Sequence, residues 1–173
     1  MIHTRRARVG IVGMGHFVYW PQFEGLVDEL KQKQKIDAKY FRECEVVDLG
    51  FVDDIDSSIV CLKKALAADL DALFIVMSTY ITSQVVFPFA KYLRVPQILL
   101  ALQPLERLDY TKTTTYMQLC NDDICSLPEF AGVYERLGAK KPYIIVETAS
   151  NTEKIAERIS VYERAISAVA AFK

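Results

Sequence analysis

Asp71-Ala72-Leu73-Phe74-Ile75-Val76-Met77 carries no polar side chain after its aspartate. A strand wetted on one face alternates apolar and polar residues. An unbroken apolar run of this kind suits a strand covered on both faces, as in a parallel sheet. Related runs occur at Arg8–Gly13, Glu45–Leu49, Gln97–Leu102 and Tyr143–Glu147. Each is followed by a segment with helical period. The first helix is expected over Pro21–Lys35, with Phe23, Leu26, Val27 and Leu30 on one face. The second is expected over Asp56–Ala68, with Asp56 or Ser57 as cap and Ile59, Leu62, Ala65 and Leu66 inward. The third covers Thr82–Leu93, where Pro88 predicts a kink. The fourth covers Pro128–Leu137 and ends at Gly138. The last starts near Thr152, capped by Ser150 or Asn151, with Ile155, Ile159, Tyr162, Ile166 and Val169 at core spacing. Residues 103–126 form a long polar stretch with no assigned element. The alternation predicts an α/β fold: a three-layer, doubly wound, five-stranded parallel sheet of flavodoxin-like order 2-1-3-4-5.

The 173 residues suffice for a single domain over 1–173 with a substantial core. A hydrophobic fraction of 51% and a charged fraction of 25% are those of a globular chain. The formal net charge of -1 gives no electrostatic reason to expect nucleic acid or an anionic membrane as partner. No apolar run approaches the roughly 20 residues that span a bilayer. The start, MIHTRRARVG, leads into no apolar signal core, because Tyr19, Trp20, Pro21 and Gln22 interrupt it. The expectation is therefore a cytoplasmic protein with reduced cysteines at 44, 61, 120 and 125. Cys120 and Cys125 lack a usual zinc spacing.

Open α/β sheets bind ligands beyond the carboxyl ends of their strands. That rule singles out the loops carrying Met14, His16, Phe17, Tyr19, Trp20, Ser78, Thr79, Tyr80, Gln103, Asn121 and Cys125. Aromatic faces and neutral hydrogen-bonding groups dominate there, which suits an uncharged polyhydroxylated ligand. The same residues also serve simply to cap strands, so fold logic leaves both readings open.

Gly10-Ile-Val-Gly13-Met-Gly15 invites comparison with the dinucleotide fingerprint. Its third glycine would fall at Val18, the bulky His16–Pro21 run does not open a helix, and Asp48 lies too far on. The alternative reading is that these glycines let the chain turn tightly at the sheet edge. His3 reads as a solvated residue. His16 is the one candidate general base at the expected site, with a hydrogen-bonding loop histidine as the other reading. Asp109, Asp122, Asp123 and Glu129 are nearby acids. Asp122-Asp123 could bind a cation, though adjacent loop carboxylates are usually solvated. Glu129 suits the positive end of a helix. No catalytic set and no metal site assembles from the residues.

The run Gly15-His-Phe-Val-Tyr19-Trp20-Pro21-Gln22-Phe23-x-Gly25-Leu26 resembles the opening of L-arabinose isomerase-like proteins, the group related to L-fucose isomerase. Val46-Val47-Asp48-x-Gly50, Ser78-Thr79-Tyr80, Val95-Pro96, Leu102-Gln103-Pro104 and Cys125-Ser126-Leu127-Pro128-Glu129 follow in order. The resemblance implies the N-terminal, substrate-covering and oligomerisation domain of a metal-dependent aldose–ketose isomerase. Mn²⁺ would belong to later domains of a longer chain, so no cofactor, catalytic or metal residue is placed here. In such a homo-oligomer this domain would cover the active site of a neighbouring subunit. His16, Phe17, Tyr19, Tyr80, Gln103 and Cys125 would meet the sugar, with both tyrosines packing on it and Gln103 hydrogen-bonding. The last helix runs to Phe172 and Lys173 without Gly or Pro, which fits a chain that continues. The competing expectation is a stand-alone flavodoxin-like domain that binds a sugar or other small polar ligand. An NAD-dependent oxidoreductase fragment is disfavoured by Val18 and by the missing acid.

Overall fold

The computed structural model describes residues 5–172, so His3 lies outside the described residues. Five strands form one parallel sheet: β1 (Arg8–Met14), β2 (Glu45–Val52), β3 (Ala72–Met77), β4 (Gln97–Gln103) and β5 (Tyr143–Thr148). Their order is β2-β1-β3-β4-β5, so the expected doubly wound arrangement is what the chain adopts. Every residue of β3 is buried, as its unbroken apolar run requires. Leu73, Ile75 and Met77 enter one apolar layer, with Phe89, Phe130 and Tyr134. Ala72, Phe74 and Val76 enter the opposite layer, with Ile145, Ile155 and Ile159. Burying a side chain such as Phe74 contributes about 1.5–3 kcal/mol relative to leaving it exposed.

The helices depart from their sequence reading in instructive ways. α1 spans Leu26–Asp37 and does not start at Pro21. A 3-10 turn at Phe17–Tyr19 and further turns through Gly25 come first, and Gly25 sits at φ 81°, which breaks the helical path before Leu26. α2 (Ile55–Ala67) is capped by Asp54, whose side chain accepts from the Ser57 N–H while the Ser57 hydroxyl accepts from the Asp54 N–H. Its buried face is Ser58, Cys61, Leu62 and Ala65, leaving Ile59 and Leu66 exposed. Ser58 is buried because its hydroxyl donates to the carbonyl of Val85.

α3 (Phe87–Tyr92) follows a 3-10 turn at Ser83–Val86. Pro88 lies in its first turn, where its missing N–H costs nothing, so it starts this helix rather than kinking a longer one. The polar stretch contains α4 (Thr115–Cys120), capped by the Thr114 hydroxyl and set against α1 through Leu119, Leu26 and Leu30. α5 (Leu127–Arg136) ends before Gly138 at φ 58°, with Glu129 in its first turn as expected. α6 (Thr152–Ala170) buries Ile155, Ile159 and Ile166. Val169 is exposed and Ala170 takes the inward position. Among the described residues no helix is long and apolar enough to cross a membrane.

The glycines of β1 prove to be packing positions. A Cβ on Gly13 would lie 2.7 Å from the Phe51 ring and would also collide with Gln34; one on Gly15 would lie 2.9 Å from Trp20. They admit neighbouring side chains, and only Gly15 stands at the strand's end, so the tight-turn reading is corrected for Gly10 and Gly13.

Candidate functional site

The carboxyl ends of β1 and β3 lie side by side, with Met14 opposite Met77. The chain leaving β1 is anchored to the end of β2. Gly15 N–H donates to the Val52 carbonyl at 3.0 Å and Phe17 N–H to the Asp53 carbonyl at 3.2 Å. Trp20 Nε1 donates to Asp53 Oδ2 at 2.9 Å. This clamp turns His16 toward β3. Its ring centroid lies 5.3 Å from Phe17, 5.7 Å from Tyr19 and 6.3 Å from Tyr80. Ser78 and Thr79, the first residues beyond β3, are fully buried.

Three buried polar atoms in these two segments have no hydrogen-bond partner: His16 Nδ1, Ser78 Oγ and Thr79 Oγ1. Buried polar groups are ordinarily paired, and an unpaired one costs about 1–3 kcal/mol. An orphaned cluster at the ligand-binding edge of a sheet is therefore a functional signal.

The third segment to arrive is the loop 121–126. Ser126 Oγ accepts the Ile81 N–H at 2.9 Å and donates to the Ile81 carbonyl at 2.8 Å, fastening the start of α5 beside the β3 loop. Asn121 Oδ1 accepts the Leu105 N–H. Asp122 and Cys125 act on each other in this loop, and burial first pushes both above their ordinary values. Tyr19 is also pushed up, first by burial and then by Asp122, Tyr80 and Cys125. The raised Cys125 thiol is a poor thiolate source, and the nearby Asp122 charge opposes its ionisation further. The site thus offers neutral hydrogen-bonding groups and aromatic faces, and among the described residues no nucleophile is paired there with a base.

Of the residues singled out in the sequence, His16, Phe17, Tyr19 and Tyr80 come together, and Cys125 joins them through Tyr19 and Asp122. Gln103 ends β4 beside Thr148, and its side chain makes no hydrogen bond with that cluster. Asp122-Asp123 is not a solvated pair. Asp123 is fully buried and ion-paired with Lys33 of α1. Asp37 lies one turn beyond Lys33; burial raises its carboxyl and lowers the Lys33 ammonium. Among the described residues no group of three potential metal-ligating side chains comes together.

No family model matches this chain. No curated protein matches it either. Among solved structures it is similar to Est24, a carbohydrate acetylesterase from Sinorhizobium meliloti, with 13% identity, 93% of this chain and 100% of that chain covered, and a TM-score of 0.48. The aryl esterase of M. smegmatis gives 15% identity, 92% and 99% coverage and 0.46. An azoreductase from Bacillus anthracis str. Sterne gives 13% identity, 96% and 100% coverage and 0.37. Likeness at this level assigns no activity to the present chain. It does correct the sequence resemblance. These neighbours are esterases and an azoreductase where arabinose and fucose isomerases were expected, so the isomerase domain, its manganese and its role as a subunit cover are withdrawn. The resemblance rested on short motifs whose residues also hold the fold: Gly15 clears Trp20, Trp20 donates to Asp53, and Ser126 fastens Ile81.

Proposed function

We propose that the chain binds a small, uncharged, polyhydroxylated ligand at the carboxyl edge of β1 and β3. The observation that carries this reading is the set of buried, unpartnered atoms His16 Nδ1, Ser78 Oγ and Thr79 Oγ1 in the loops after β1 and β3, with the His16 ring set against those of Tyr19 and Tyr80. Ligand hydroxyls would satisfy the orphaned atoms, and the ring faces would pack on ligand C–H groups. Residues 14–20, 78–80 and 121–126 contain no Lys or Arg, so these segments offer a phosphate no cation. That balance favours a neutral ligand over a phosphorylated one. The reading is one of binding rather than catalysis, since no nucleophile–base pair supports a reaction.

Trp20 is the protein's single tryptophan, and it is tied to Asp53 in the same loop. Its emission therefore reports on the site. Titration with neutral aldoses, ketoses and polyols should give a saturable change with at least one of them. His16→Ala and Tyr80→Ala should each weaken that ligand by roughly three- to tenfold, the loss of about one hydrogen bond or ring contact. No saturable response with any neutral polyol, in emission or in the amide signals of residues 14–20 and 78–80, would overturn the reading.

A further inference from the structure

A cavity of about 640 Å³ lies at the opposite end of the sheet, between the amino ends of β3, β4 and β5 and the second half of α6. Its size is in the range that encloses small organic ligands. Tyr143, Val161, Tyr162 and Val169 form much of its wall. Three of these are far more exposed than their chemistry favours: Tyr143 at 47%, Val161 at 51% and Val169 at 63%. Val161, Ala165 and Val169 recur every fourth residue, so α6 presents an apolar stripe to the cavity as well as one to the core.

Arg94 and Lys140 complete the lining, and neither forms an ion pair among the described residues. The acid that also lines the cavity, Asp71, is already engaged: it takes two hydrogen bonds from the Arg5 guanidinium and one from the Arg8 N–H. An apolar hollow with two unpaired cations is complementary to an anion with an apolar body. A second copy of the chain is the other occupant, and the experiment below separates the two.

We propose that this cavity binds an aliphatic carboxylate, with its chain against the α6 stripe and its head group at Arg94 and Lys140. The site is separate from the carboxyl-edge site and does not depend on it. Decanoate is the probe, and decanol is its neutral counterpart, both followed by calorimetry. Decanoate should bind saturably. Ala165→Trp fills the cavity from an exposed position and should abolish binding of both probes. The double replacement Arg94→Ala with Lys140→Ala should weaken decanoate about tenfold and leave decanol unchanged. Val169→Glu puts a carboxylate into the stripe and should weaken both probes, decanoate more than decanol, and melting curves confirm that each variant is folded. Absence of saturable decanoate binding overturns the proposal. So does binding that survives both Ala165→Trp and Val169→Glu, as does a concentration-dependent doubling of mass without decanoate binding, which would make this face a contact between copies.

Discussion

Glu163 looks in the sequence like one of several charged residues on the wet side of a long helix. It is in fact 1% exposed, and its Oε1 accepts three backbone N–H groups, from Arg42 at 3.0 Å and from Glu43 and Cys44 at 2.9 Å each. One carboxylate oxygen thus fixes the entry to β2, and its burial is tolerated because the donors replace its water. Glu163→Ala should lower unfolding free energy by about 2–4 kcal/mol, read as a shifted urea midpoint, and Glu163→Gln by less, since an acceptor remains. Equal midpoints for wild type and Glu163→Ala would show that the bonds contribute nothing net. The placement of His16, Tyr19 and Tyr80 beyond the ends of β1 and β3 was legible, because strand ends can be read from apolar runs. Glu163, Lys33 and Asp123 were not, because their partners lie far away in the chain.

Among the elements, four strands were read to within a residue at each end and β2 runs on to Val52 beyond its reading, whereas the starts of α1 and α3 drifted. The beginning of α1 depends on a left-handed Gly25 and on turns held by Asp53, neither of which alters the apolar spacing of Leu26, Leu30 and their neighbours. α4 has few turns and little apolar periodicity, so only its docking on α1 makes it visible. The joint between β5 and α6 is electrostatic. Glu147 accepts from Asn151 Nδ2 at 2.9 Å and pairs with Lys154 at 2.7 Å. Lys154, then Asn151, holds the Glu147 carboxyl down at about 2, from an ordinary value of 4.5. A depressed carboxyl stabilises the fold above its ordinary range, and that contribution fades as pH falls from about 4.5 toward about 2. Glu147→Gln should therefore flatten the fall of stability with acid across that interval. Denaturant titrations at successive pH values test this: unchanged acid sensitivity would remove Glu147 from the account.

Across the whole molecule, the sheet divides two apolar layers, and β3 feeds both. Phe74 is the centre of one, with Phe41 at 4.6 Å and Tyr162 at 6.3 Å, both edge-on. Phe74→Ala should cost about 3–5 kcal/mol and lower the melting temperature accordingly. A loss below about 1 kcal/mol would mean that the layer collapses onto the vacancy. Strand identity, the parallel sheet and the strand order follow from local pattern, since apolar runs, helical period and crossover handedness are properties of the chain and its chirality. The ligand edge follows from them by topology. The buried, unpartnered atoms of His16, Ser78 and Thr79, the Lys33–Asp123 pair between α1 and the loop after α4, and the cation-rimmed cavity beside α6 come from packing alone. Whether a polar atom finds a partner or a valine finds a cover depends on which distant segments meet it, and no spacing along the chain encodes that.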